Sequence, residues 1–195
     1  MTDINKILEI KPNNIKPSQG KVLISEPFTN DYYFKRSVVL LAEHNEEGSY
    51  GMVFNKPLFI NLNELIKDFP KIDAPLYLGG PVKTDSLFYI HKFPEILNSI
   101  KINDELYWGG DIDNVKEYIA ISKFNSDNVR FFVGYAGWSP KQLNEELKEN
   151  SWVVTRTKTD ILLNEPPTNI WNKIVLDLGT DYAHWVNFPT NPSMN

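Results

Sequence analysis

"RFFVGYAGWSPKQLNEEL", residues 130–147, is the stretch on which the fold turns. Its opening, Arg130 to Val133, is an aromatic and β-branched run of strand character. Gly134 and Gly137 then punctuate the chain, and Ser139-Pro140-Lys141-Gln142 has the form of a capping box. In that arrangement the Ser139 hydroxyl accepts from the Gln142 N–H while the Gln142 side chain reaches back. Pro140 would sit at the first helical position, where a missing N–H costs nothing. Leu143 and Leu147 make the inward stripe, with Glu145, Glu146 and Glu149 on the solvated face. A strand, a glycine turn and a capped helix so close together require a fold that mixes sheet and helix. The glycines themselves allow two readings: a tight packing corner, or a place where a ligand approaches backbone amides. Neither the dinucleotide-binding nor the P-loop glycine spacing is present.

Working outward, "KVLIS" (21–25) and "SVVLLAE" (37–43) read as strands. "HNEEGSYG" (44–51) is a polar turn leading into "MVFN", so 37–55 forms a hairpin. Asn61 can cap a helix "LNELIKDF" with Leu62, Leu65, Ile66 and Phe69 inward. Strands follow at "PLYLGG", "SLFYIHKF" and "ELYWGG"; Asp111 can cap the helix "IDNVKEYIAISK", with Ile112, Val115 and Ile119 facing the sheet. "SWVVTRT" is a further strand. Thr168 opens a last helix that Gly179 stops. Residues 3–10 have a short helical pattern, and 11–20 is a Pro/Asn linker, so 1–19 is expected to be an arm, 20–188 the folded domain and 189–195 a tail. The aromatic segment before that tail is expected to fray. Strands and helices alternate irregularly, which gives an α+β class: a mixed α/β sheet in one compact domain.

Composition narrows the function classes. The chain has 195 residues, is 42% hydrophobic and contains no cysteine, which removes disulfides, thiolate nucleophiles and Cys-ligated metal centres. Its N-terminus has no signal-peptide pattern, and its longest apolar run is of strand length, so a cytoplasmic protein without a membrane partner is expected. The net charge is −5 and the lysines are scattered, which disfavours direct DNA binding.

The chemistry-bearing candidates fall into three groups. Arg36 and Asn55, with Lys56, flank the hairpin away from its turn, where cations suit an acidic ligand. His44 lies at a strand end and could act as a base on Ser25 or Ser37, while Gly134, Tyr135, Gly137 and Trp138 form the glycine segment. Asp104, Glu105 and Asp111 surround "LYWGGD", and their convergence would suit Mg²⁺ or Mn²⁺ in phosphodiester hydrolysis. Each group also has an ordinary explanation as cap, surface charge or core. No catalytic constellation is recognisable. The reading is therefore a non-enzymatic regulatory or binding module with no cofactor and a protein or small-molecule partner; the alternative is a divalent-metal phosphodiester hydrolase.

Taken in order, "GKVLISEPF", "FKRSVVLLAEHNEEGSYGMVFNKPL", "PLYLGGPV", "LYWGGD" and "RFFVGYAGWSPKQLNEELKENSW" resemble the bacterial AlgH/YqgE family over residues 20–188. The resemblance implies a cytosolic protein with a branched, partly barrel-like sheet surrounded by helices. It brings the label of a transcriptional regulator and a suggested remote likeness to resolvase-type nucleases. It brings no catalytic residues.

Overall fold

The computed structural model describes residues 10–189. The short helical pattern at 3–10 and the tail after 189 lie essentially outside the described residues. Ten strands form a mixed sheet with helices packed around it, the α+β single domain that the sequence pattern implies. The β-branched runs supply β1 (Val22–Ser25), β2 (Val38–Asn45) and β3 (Gly48–Val53). These are followed by β4 (Pro57–Asn61), β5 (Pro75–Leu78), β6 (Val82–His91), β7 (Ile100–Lys101) and β8 (Tyr107–Trp108). The last two are β9 (Val129–Trp138) and β10 (Trp152–Thr155). The main path runs β10-β1-β2-β3-β9-β6-β8-β7, with β4 and β5 off it. That path does not return on itself, so the sheet is branched but is not closed into a barrel.

The branch is built into the opening stretch. All of Val129–Trp138 is strand, so the expected glycine turn does not exist. Residues 131–133 of β9 pair in parallel with Leu76–Leu78 of β5, whereas 136–138 pair antiparallel with Ser49–Gly51 of β3. Along its other edge β9 pairs with β6 over residues 129–135, with a register shift between Val82 and Leu87. One side of a single strand thus serves two neighbours in succession, and Gly134 sits at the changeover. A Cβ there would meet the Gly80 carbonyl oxygen at 2.5 Å, and φ is +68°. A Cβ on Gly79 would lie 2.2 Å from the Gly134 carbonyl oxygen. Two backbones approach here more closely than any side chain permits, so the packing-corner reading of Gly134 describes the structure.

The helices are α1 (Leu62–Leu65), α2 (Ile112–Ala120), α3 (Gln142–Lys148), α4 (Thr159–Asn164), α5 (Pro167–Asp177) and α6 (Thr180–Ala183), with a 3₁₀ turn at His184–Asn187. Asp111 caps α2 as its sequence position implies, accepting from Asp113 N–H at 2.9 Å and Asn114 N–H at 3.2 Å. Other boundaries differ. α1 stops after one turn, because Asn63 turns back to the Phe69 and Pro70 carbonyls, and Leu65 is left exposed. Ile112 also stays outward, and α2 packs through Val115 and Ile119. α5 begins with Pro167 at its first turn and uses no Thr168 cap. The segment expected to fray is instead folded: Tyr182 and Trp185 are buried, and Trp185 stacks on Trp171. The linker is also tied down. Gln19 donates to the Ala42 and Lys101 carbonyls, and the Tyr182 hydroxyl donates to the Lys11 carbonyl.

Three apolar clusters result. The largest lies between β1–β3 and α4–α6, around Leu40, Phe54, Trp171 and Val175. A second lies under α1 and α2, around Leu62, Val115 and Phe131. The third joins α3 to the opposite sheet face through Leu23, Trp138, Leu143 and Trp152.

Candidate functional site

The candidate residues do not form one site. Arg36 and Asn55 sit where β2 begins, and their polar groups are directed at the fold. Asn55 accepts from the Val38 N–H at 2.9 Å and donates to the Arg36 carbonyl at 2.8 Å, closing the mouth of the hairpin. The Arg36 guanidinium donates to the Phe188 carbonyl and lies 4.9 Å from the Trp171 ring centre. Burial lowers its pKa. Lys56 donates to the Lys35 carbonyl, and burial, reinforced by Lys35, lowers its pKa as well. This end of the hairpin is a clasp between sheet and C-terminal helices.

The acidic group is spread over separate tasks. Asp104 is bonded at 3.0 Å to Lys101 on the surface, Glu105 is exposed on the same turn, and Asp111 is committed to the α2 backbone. Among the described residues, no group of three or more His, Cys, Asp or Glu side chains is placed to hold a metal ion.

His44 is at the far end of the hairpin, and here the structure departs from the expected turn. Asn45 pairs with Gly48, so the loop is only Glu46-Glu47 and His44 falls opposite Ser49. Their side chains meet across the strands, His44 Nδ1 to Ser49 Oγ at 2.8 Å. The hydroxyls proposed for it from sequence are elsewhere: Ser25 Oγ accepts from the Ser37 N–H, and Ser37 Oγ is buried without a partner among the described residues. Partial burial lowers the His44 pKa. Ser49 is only 2% exposed, and its hydroxyl is engaged with His44. The pair is a lock on the hairpin end.

That lock forms one wall of a cleft. Ser49 also pairs with Trp138, and Gly48 (φ +141°) lets the Trp138 carbonyl come within 2.4 Å of where a Cβ would stand. The chain leaves β9 through Ser139, Pro140 and Lys141, which has φ +67°, and then starts α3. Gln142 accepts from both the backbone N–H and the hydroxyl of Ser139, so only the return half of the capping box forms. Between hairpin and helix is a cavity of about 590 Å³, lined by His44, Glu46, Ser49, Ser139, Lys141 and Asn144 among others. A second groove of about 850 Å³ shares Lys141 and Asn144 and runs between α3 and residues 12–17.

The remaining residues of the glycine segment have structural partners. Tyr135 packs against Tyr50 and Phe88, and Gly137 lies opposite Tyr50. Trp138 is buried, and its indole N–H donates to Glu146 Oε2 at 2.8 Å. The same oxygen accepts from the Trp152 indole at 2.7 Å. Glu146 therefore does not belong to a solvated face, and its role has no sequence signal beyond its spacing from Gln142.

A sequence profile described as AlgH-like matches residues 22–183. A UPF0301 protein of Bacteroides fragilis is 47% identical over 190 residues, covering 97% of both chains. One from Bacteroides thetaiotaomicron is 46% identical with the same coverage. Among solved structures, the solution structure of the AlgH protein from Pseudomonas aeruginosa superposes with a TM-score of 0.69 at 28% identity, covering 91% of this chain and 98% of that one. The crystal structure of a Corynebacterium diphtheriae protein gives a TM-score of 0.76 at 21% identity, covering 91% and 95%, and so shares the fold. From the hairpin to the last helices, in sequence and in fold, the chain belongs to the AlgH-like family.

Proposed function

We propose that this AlgH-like protein is a non-enzymatic binding module that takes a small polar ligand in the cleft between the β2–β3 hairpin and α3. The observation that carries the reading is the convergence of His44, Ser139, Lys141 and Asn144 on a cavity of about 590 Å³. That volume is within the range of small-molecule sites, which combine a largely preformed cleft with a few placed polar groups. The lining holds one cation, Lys141, and one anion, Glu46, a balance that suits a ligand of low net charge better than a polyphosphate backbone. The His44–Ser49 bond and the two-residue loop keep one wall rigid, which reduces the ordering cost of binding.

The test is a thermal-shift panel of nucleotides, amino acids, sugars, divalent ions and short oligonucleotides, read against Lys141→Gly. Lys141 is in the left-handed region, so glycine removes the cation while relieving backbone strain. The variant should be as stable as the parent or about 1 kcal/mol more stable. A ligand at a hundredfold excess over its dissociation constant should stabilise the parent by about 2.7 kcal/mol and the variant by clearly less. Shifts confined to Mg²⁺ or Mn²⁺ and abolished by Asp111→Ala would instead support the phosphodiester hydrolase. A shift that Lys141→Gly leaves intact would place the ligand outside this cleft.

A further inference from the structure

Arg130, the first residue of the opening stretch, is 4% exposed at the start of β9. A guanidinium withdrawn from water needs an anion or a full set of acceptors. It has neither. One terminal nitrogen donates to the Phe54 carbonyl and the other to the Leu163 carbonyl, both at 2.9 Å. Leu163 lies in the last turn of α4, whose C-terminal carbonyls carry partial negative charge. The ring of Tyr77 is 4.3 Å from the guanidinium carbon, and that of Phe54 is 5.3 Å away. These contacts hold the plane of the group, but each terminal nitrogen keeps a further hydrogen, and the Nε–H also has no acceptor among the described residues. None of the ion pairs among those residues includes Arg130.

The group borders a recess of about 210 Å³, lined also by Tyr77, Val129, Leu163 and the prolines Pro75, Pro166 and Pro167. Tyr77 lines the same recess, and its hydroxyl is engaged in no hydrogen bond among the described residues. A charged planar fork and a free phenol thus share a space below the roughly 300 Å³ at which drug-sized sites begin. Two acids stand at the rim. Glu165 is neutralised by Lys173 at 2.7 Å, while Asp127 is left to repel a highly charged guest.

We infer that this recess is a second binding site, separate from the α3 cleft, and that it takes a small monocarboxylate: one oxygen on the free edge of Arg130, the other accepting from the Tyr77 hydroxyl. A carboxylate matches the planar donor geometry of guanidinium. The prolines and the acidic rim set the limits on its size and charge.

The experiment follows the Arg130 Nε–H and the neighbouring backbone amides by two-dimensional ¹⁵N NMR. Sodium acetate, inorganic phosphate and sodium chloride are added in turn at constant ionic strength. Removing Arg130 risks unfolding the core, so the variant is Tyr77→Phe, which deletes one donor and keeps the ring. The expected result is a saturable acetate shift centred on Arg130 and Leu163, with affinity about tenfold weaker in Tyr77→Phe. A drift equal to that with chloride would overturn the site. An acetate response unchanged in Tyr77→Phe would overturn the proposed pose, and tighter binding of phosphate than of acetate would overturn the carboxylate assignment.

Discussion

Gly134 shows how much one residue can decide. Its absent Cβ lets β5 and β3 succeed each other along one side of β9, and its φ of +68° is one an L-residue adopts only with strain. Gly134→Ala should therefore lower unfolding stability by about 3 kcal/mol, seen as a lower urea midpoint with a similar slope. A change below about 0.5 kcal/mol would mean that the two backbones can separate cheaply. The glycine was legible in the sequence as a special position; the reason for it was not. Gly-x-x-Gly before a capping box resembles a turn, because nothing local reveals that the Gly79-Gly80 link after β5 must approach the backbone there. Arg130 escaped notice similarly. Its neighbours mark a strand, but only long-range packing brings α4 and Tyr77 around its charge.

At the scale of elements, α3 is joined to two strands by one carboxylate. Glu146 Oε2 accepts from the indoles of Trp138 on β9 and Trp152 on β10, while Glu146 Oε1 accepts from Gln142. Glu146→Ala would leave two largely buried N–H donors unsatisfied and should cost about 3 kcal/mol. Glu146→Gln retains an acceptor oxygen and should cost less than half as much; urea unfolding followed by tryptophan fluorescence measures both. Equal losses in the two variants would show that packing, not hydrogen bonding, sets the value of this side chain. The sequence was most readable where runs are long and β-branched, as in β2, β3 and β9. It was least readable in short elements. β4 begins at a proline and has an exposed pattern, and α4 has only six residues, too few for helical periodicity to appear. The cleft was hidden for a related reason. A hairpin register depends on loop length, and Glu46-Glu47 lacks the glycine or asparagine that usually marks a two-residue turn. His44 was identified as a candidate, but its partner Ser49 was placed in the turn.

For the whole molecule, the response to acid follows from a histidine outside the proposed sites. His91 is fully buried on β6, its Nε2–H donating to the Gly109 carbonyl at 2.9 Å and its Nδ1 accepting from the Phe93 N–H at 3.2 Å. Acceptance by Nδ1 requires the neutral ring, and burial, the largest cause, lowers its pKa despite the backbone bonds and Glu95. A depressed folded-state pKa means that the unfolded chain takes up the proton first as pH falls. Its contribution to stability is thus complete above the unfolded value of about 6.5 and declines below it. The slope for this proton is at most about 1.4 kcal/mol per pH unit. His91→Gln should flatten the dependence below about pH 6.5, leaving the part due to His44, which is shifted the same way. An unchanged slope would show that His91 does not govern it. No helix among the described residues is long and apolar enough to cross a membrane.

Ligand recognition in the cleft between the hairpin and α3 should be visible residue by residue. The most direct measurement is two-dimensional ¹⁵N NMR of the full chain against a library of small polar fragments. Saturable shifts should group on His44, Ser49, Ser139, Lys141 and Asn144, and be lost for the same fragments in Lys141→Gly. Binding that maps elsewhere, or a library with no saturable response at these residues, would contradict it.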